Sequence, residues 1–127
     1  MARPKILIVE DEALIAMELE DTLKRMSYEI AGSASNSEAV FRRVEVSRPD
    51  VVLMDVRIKG PRDGIETAEE LRSRFGIRVI YMTAYTDEET RRRAMATGPL
   101  AHLSKPFDDE ALRAAIESAL REQGADA

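Results

Sequence analysis

Two kinds of apolar spacing alternate along this 127-residue chain. Short runs rich in Val and Ile, at Lys5–Val9, Tyr28–Ser33, Asp50–Met54, Ile77–Met82 and Leu100–Leu103, read as β-strands. Three of them are hydrophobic nearly throughout, as strands covered on both faces should be. Between the runs, apolar residues recur three or four apart: Ile15, Leu19, Leu23 and Met26; Val40 and Val44; Ile65, Ala68, Leu71 and Phe75; Leu112, Ile116 and Leu120. That spacing puts one apolar stripe on each of several helices, turned toward a sheet. Strand and helix patterns in strict alternation predict an α/β fold, five βα units around a parallel sheet.

The borders agree with the periodicity. Asn36 or Ser37, and Thr86, are N-cap residue types with acids soon after them, while Gly76 and Gly98 suit left-handed positions at helix ends. Pro49 precedes the third strand and Pro106 follows the fifth. No linker, repeat or low-complexity tract interrupts the series, so residues 1–122 are expected to form one domain and 123–127 a short polar tail, with fraying from Arg121 onward. On that reading nothing remains for a DNA-binding or catalytic output domain.

Composition narrows the chemistry. At 44% apolar and 34% charged residues the chain has the balance of a folded globular protein, and its longest apolar runs fall far short of a membrane span. The N-terminus enters the first strand without a secretory leader pattern, which makes the cytoplasm the expected location. A net charge of −5 argues against direct binding to nucleic acid. The one basic run, Arg91–Arg93, follows Asp87, Glu88 and Glu89 and reads as a self-paired helix face. With no cysteine and a single histidine, disulfides, thiol catalysis and structural zinc are excluded, which leaves oxygen ligands for a metal.

Polar residues gather where the strands end. The first strand runs into Glu10, Asp11 and Glu12, the third into Asp55, the fourth into Thr83 and the fifth into Lys105. Open parallel sheets bind ligands at that edge. If the first and third strands are neighbours, Asp11 and Asp55 stand close, and two carboxylates about 5 Å apart repel by about 3 kcal/mol at an effective dielectric near 20. A hard divalent cation offsets this, and Mg2+ suits a site with one or two carboxylates that also meets phosphate oxygens. Lys105 adds a second positive charge and Thr83 a hydroxyl donor. The set reads as a phosphoryl pocket in which Asp55 attacks phosphorus and becomes an acyl phosphate.

Ile8-Val9-Glu10-Asp11-Glu12, Leu53-Met54-Asp55, Asp63-Gly64, Met82-Thr83-Ala84 and Lys105-Pro106-Phe107, in this order and spacing, resemble the receiver domain of bacterial two-component response regulators. The resemblance spans Lys5 to about Leu120. It implies a flavodoxin-like three-layer sandwich with strand order 2-1-3-4-5, Asp55 as phosphoacceptor, and Mg2+ held by Asp11, Asp55, Glu10 through water and the Arg57 main-chain carbonyl. It also implies that Lys105 pairs with the phosphoryl group, that the bond before Pro106 is cis, and that Thr83 and an aromatic residue on the fifth strand move together to reshape the face made by the fourth helix, fifth strand and fifth helix. A sensor histidine kinase or histidine phosphotransfer protein would be the donor. A downstream protein, or a second copy of the chain in a homodimer, would meet the switch face. Such a chain assists its own phosphorylation and dephosphorylation without being a turnover enzyme.

Three departures from the family pattern stand out. His102 takes the place of the usual Tyr or Phe, which makes the packing switch weaker or sensitive to pH. The loop Arg57–Gly64 lacks a common proline and is one residue longer than in many relatives; within it Arg57 is placed to touch or shield a phosphoryl group, with Tyr85 as a second modulator of its lifetime. The absence of an output segment implies a stand-alone receiver acting through partners, or a piece of a larger regulator. A pseudo-receiver without phosphoryl chemistry is the alternative. An aspartate-nucleophile phosphatase of the haloacid dehalogenase type is disfavoured, because that chemistry needs an aspartate where Arg57 stands.

Overall fold

The computed structural model describes residues 3–84 and 87–125. Strands and helices alternate without exception: β1 (Lys5–Val9), α1 (Ala13–Arg25), β2 (Glu29–Ala34), α2 (Ser37–Val46), β3 (Val51–Met54), α3 (Gly64–Phe75), β4 (Ile80–Met82), α4 (Glu88–Ala96), β5 (Ala101–Leu103) and α5 (Asp109–Ala125). The strands pair in parallel in the order β2-β1-β3-β4-β5. This is the flavodoxin-like arrangement implied by the sequence, with β1 and β3 adjacent.

The three layers follow from the period of two along each strand. Leu7 and Val9 of β1, Val52 and Met54 of β3 and Tyr81 of β4 face one side, where they pack on Val40, Phe41 and Val44 of α2, Ile65, Ala68 and Leu71 of α3, and Ala94 of α4. The intervening Ile6, Ile8, Val51, Leu53, Ile80 and Met82 face the other side, against Ala16, Leu19 and Leu23 of α1 and Leu112, Ile116 and Ala119 of α5. Burying one such Leu or Ile contributes roughly 1.5–3 kcal/mol, so these two cores hold the sheet in place. Helix α4 is the exception, because Ala94 is its single buried residue.

Caps fix where the helices begin. Asn36 accepts from Ala39 N–H at 2.9 Å, and Asp63 forms a reciprocal capping box with Glu66. Asp87 caps α4, accepting from Thr90 N–H at 2.6 Å; Thr86, expected in that role, lies outside the described residues. Gly76 ends α3 in the left-handed region at φ 67°.

The element edges shift where tertiary bonds compete with the strand pattern. Ile77 and Val79 are buried but precede β4: the Ile77 N–H turns back to the Leu71 carbonyl at the end of α3, and the Val79 carbonyl accepts from Leu100 N–H just ahead of β5. Tyr28 belongs to the turn that closes α1, its N–H bonded to the Leu23 carbonyl. Residues 121–125, expected to fray, continue α5. Glu122 pairs with Arg78 at 3.2 Å and the Gln123 side chain donates to the Asp50 carbonyl at 2.8 Å, which ties this end to the sheet.

Candidate functional site

Sheet pairing delivers the acids to one rim. Asp55 follows β3 directly and its N–H bonds to the Val9 carbonyl at 3.0 Å; Glu10 follows β1 and its N–H bonds to the Ala34 carbonyl, also at 3.0 Å. The two residues therefore extend neighbouring strands by one step. Glu10 and Asp55 are buried, at 4% and 7% exposure, and Asp11 is half-buried beside them. One carboxylate oxygen from each of Glu10, Asp11 and Asp55 lies within 4.8 Å of the other two.

Gly64 allows the next loop to close on this rim. Its N–H donates to the Val56 carbonyl at 2.7 Å, and any side chain there would overlap the Asp55 carbonyl oxygen and place its Cβ 2.9 Å from the Val56 Cα. The Asp63-Gly64 pair thus has two local reasons: the aspartate caps α3 and the glycine lets the helix start against the backbone of Asp55. Arg57 N–H donates to Asp55 Oδ1 at 3.1 Å, which orients that carboxylate from behind.

Lys105 reaches the same acids from β5. Its Nζ donates to Asp55 Oδ2 at 2.9 Å and to Glu10 Oε2 at 3.2 Å. The Lys105–Pro106 bond is cis. Burial acts to lower the lysine's pKa, but the hydrogen bond and charge of Asp55, joined by Glu10, outweigh it and hold the ammonium above its ordinary value. Glu10 moves the opposite way for an acid, pushed up to about 7 first by burial and then by the hydrogen bond and charge of Asp55, against the opposing pull of Glu12 N–H and Lys105. One ammonium does not neutralise three converging carboxyl groups. Hard oxygen donors in excess of local positive charge fit a divalent cation such as Mg2+.

Thr83 is buried at the end of β4, its N–H bonded to the Leu103 carbonyl at 3.0 Å. His102, half-buried on β5, donates its Nε2–H to the Thr83 carbonyl at 3.2 Å. The structure therefore brings Glu10, Asp11, Asp55 and Lys105 into one cluster and joins His102 to Thr83. The Arg57 side chain is exposed, and only its main-chain N–H has a bond to the cluster. Tyr85 lies outside the described residues.

Comparison with known proteins agrees with this geometry. The sequence pattern of the response regulator receiver domain matches residues 6–117. The chain belongs to that family. The receiver is 39% identical over 116 residues to the transcriptional regulatory protein PdtaR of Mycobacterium tuberculosis, an alignment covering 91% of this chain and 56% of the relative, so it spans about half of that protein's length. It is 36% identical over 121 residues to sporulation initiation phosphotransferase F of Bacillus subtilis, covering 94% of this chain and 96% of the relative. Among solved structures it resembles the signal receiver domain of a modulated diguanylate cyclase from Desulfovibrio desulfuricans G20, with TM-score 0.92, 34% identity and coverage of 98% and 99%. A CheY-like receiver from Methanospirillum hungatei JF-1 shares the fold at TM-score 0.89 and 24% identity, over 99% and 100% of the two chains. Among the described residues no helix is long and apolar enough to cross a membrane.

Two features of the receiver escaped the sequence reading. Lys105 contacts Glu10 as well as Asp55, a contact that strand-end position alone does not specify. Arg93, read as part of a self-paired run, instead reaches across to Asp63 at 3.0 Å, while Arg91 and Arg92 do pair within α4 with Glu88 and Glu89. The i, i+3 spacing identifies the local pairs; a contact thirty residues away leaves no trace in the spacing.

Proposed function

We propose that this receiver is a phosphoacceptor in which an Asp55 carboxylate oxygen takes a phosphoryl group from a histidine kinase or histidine phosphotransfer protein. The observation that carries the reading is the single ammonium of Lys105 bonded to both Asp55 and Glu10, with the Asp11 carboxylate alongside. An Asp55 oxygen attacks phosphorus, the bond from phosphorus to the donor's imidazole nitrogen breaks, and its electron pair leaves with the imidazole. Lys105 then exchanges its contact with Asp55 Oδ2 for an oxygen of the transferred group. Arg57 N–H engages Oδ1, and Oδ2 becomes the nucleophilic atom as Lys105 shifts from it to the incoming phosphoryl oxygens.

Asp11 and Asp55 would hold Mg2+ directly, with Glu10 acting through water and the Arg57 main-chain carbonyl as a further ligand. When bound, the ion would neutralise charge on the phosphoryl oxygens. The protein is an acceptor that returns to its starting state when the acyl phosphate hydrolyses, and not a conventional turnover enzyme. The exposed Arg57 side chain and Tyr85 are the residues expected to set how long the phosphoryl group survives. Output runs through the α4-β5-α5 face, with Thr83 and His102 as the moving parts, toward a protein partner or a second receiver.

Incubation with Mg2+ and acetyl phosphate tests the reading. The chain should gain the mass of one phosphoryl group, and Asp55→Asn should not. A wild-type chain that gains no mass, and shows no spectral change with beryllofluoride, is a pseudo-receiver.

A further inference from the structure

A cluster of carboxylates solves the problem of holding a cation but creates another for the incoming donor, which is itself an anion. Lys105 is already engaged by two of the acids. A separate cavity of about 300 Å³ opens on the β2 side of the cluster, lined by Glu10 and Asp11, by Glu20 and Met17 of α1, by Ser33, Ala34 and Ser35, and by Lys59. Lys59 is thus a second cation on the far side of the acids from Lys105. Its side chain is exposed, and among the described residues its ammonium has no ion-pair partner.

The position of Lys59 is set by its backbone. Its N–H donates to the Ser35 carbonyl at 2.9 Å, and a parallel bridge joins it to Asn36, the residue that caps α2. Immediately afterwards the chain turns through Gly60 at φ 94°, a conformation that residues with a side chain rarely adopt, and then Pro61. The β3-α3 loop is therefore stitched to the β2-α2 loop at the residue that places a lysine on the acidic cavity. The surrounding acids explain why a free ammonium matters there. A dianionic phosphodonor approaching Glu10, Asp11, Glu20 and Asp55 meets repulsion that one unpaired cation at the mouth offsets, whereas a divalent cation in the same cluster is repelled by it.

We propose that Lys59 is a positioning residue for the phosphodonor: it draws the donor's phosphoryl group to the mouth of the acidic cavity, and it does so at some cost to metal affinity. The inference rests on the phosphoacceptor reading of Asp55 and adds to it a residue outside the set that reacts. The effect is long-range and solvent-exposed, so it must weaken as salt screens it.

Initial rates of phosphorylation are measured by intact mass against acetyl phosphate concentration, at saturating Mg2+ and low ionic strength, for the wild type, Lys59→Gln and Lys59→Arg. Lys59→Gln should raise the half-saturating donor concentration about two- to fivefold, as expected for one exposed charge at this range. Its maximal rate should stay unchanged, and Lys59→Arg should match the wild type. Adding salt to about 0.5 M should erase the difference. Mg2+ titration of the unphosphorylated proteins, followed by amide NMR shifts, is the second readout, and Lys59→Gln should bind Mg2+ about two- to fivefold more tightly. An unchanged half-saturation in Lys59→Gln, a change that persists in high salt, or weaker Mg2+ binding would each overturn the role of Lys59 while leaving Asp55 as acceptor. If the wild type itself takes up no phosphoryl group, the phosphoacceptor reading fails and this inference goes with it.

Discussion

Arg93 of α4 donates to Asp63 Oδ2 at 3.0 Å, and the other oxygen of the same carboxylate caps α3 through Glu66 N–H. The pair joins the least buried helix of the receiver to the loop that closes on Asp55, because the next residue, Gly64, packs against the Asp55 backbone. The other end of α4 is held differently. The fully buried Tyr81 bonds through its hydroxyl to Thr97 Oγ1 at 2.7 Å, and Arg72 donates to the Thr97 carbonyl at 2.8 Å. Helix α4 is therefore anchored at its C-terminus by buried bonds and along its length by one half-exposed ion pair.

Arg93→Ala should consequently loosen α4 without unfolding the receiver. An ion pair with side chains 41% and 33% exposed contributes at most about 1 kcal/mol. Amide hydrogen exchange should quicken by up to about fivefold in α4, while α3, whose capping box stays intact, keeps its protection. Equal acceleration in both helices would mean that the pair supports the loop and not the helix.

Gly64→Ala tests the opposite kind of contact, one between backbones with no room to give. A Cβ at this position would overlap the Asp55 carbonyl oxygen, and the loop and α3 would have to move apart. The expected cost is roughly 2–4 kcal/mol in urea unfolding, at the upper end of what overpacking produces. Slower phosphorylation of the folded fraction should accompany it. A variant within about 0.5 kcal/mol of the wild type would show that the loop relaxes freely.

Those two sites also mark the limit of what the sequence discloses. The two-sided core was legible from short periods, and the gathering of Glu10, Asp11, Asp55 and Lys105 from their positions at strand ends; the strand order that makes Asp11 and Asp55 neighbours came from the family resemblance, and parallel pairing in that order carries these residues to one rim. The end of α5 was not legible, since Gln123 and Glu122 are held by Asp50 and Arg78, partners far away in the chain. The start of β4 was misjudged for a related reason: apolar Ile77 looks like strand but is claimed by the close of α3, which delays the strand to Ile80. The placement of Lys59 likewise depends on one loop pairing with another, at Ser35 and Asn36.

The charge of the acidic cluster gives a pH dependence whose sign can be worked out. Burial, with the hydrogen bond and charge of Asp55, raises Glu10 from an ordinary 4.5 to about 7 in the folded chain. Between those values the folded chain keeps a proton that the unfolded chain releases, so unfolding liberates protons and stability falls as pH rises through this window. In chelator-treated buffer the contribution of Glu10 should be most favourable below about pH 4.5 and fully lost above about 7. Mg2+ should reverse the trend at neutral pH, adding about 1.4 kcal/mol at a free concentration tenfold above its dissociation constant. Asp11→Asn should abolish most of that gain. Thermal melts at several pH values, with and without Mg2+, check both; a gain in the variant equal to that of the wild type would place the cation elsewhere.

The bond from His102 to Thr83 works against a pH-sensitive switch on β5. The ring donates Nε2–H to the Thr83 carbonyl, and an imidazolium keeps that same N–H, so protonation does not remove the bond. The ring should therefore hold one rotamer at about pH 5.5 and at about pH 8, which NMR checks. His102→Phe is the informative variant, because it preserves a ring on β5 and deletes the donor. It should cost about 0.5–1.5 kcal/mol through the lost bond. It should also loosen the Thr83 carbonyl, which retains the longer 3.4 Å bond from Lys105 N–H, while Thr83 N–H stays on the Leu103 carbonyl. If the bond restrains the switch, beryllofluoride should bind His102→Phe more tightly than the wild type, since less must be broken when Thr83 moves. Equal affinity, together with a rotamer that changes between the two pH values, would show that the ring acts through its charge and not through the Thr83 carbonyl.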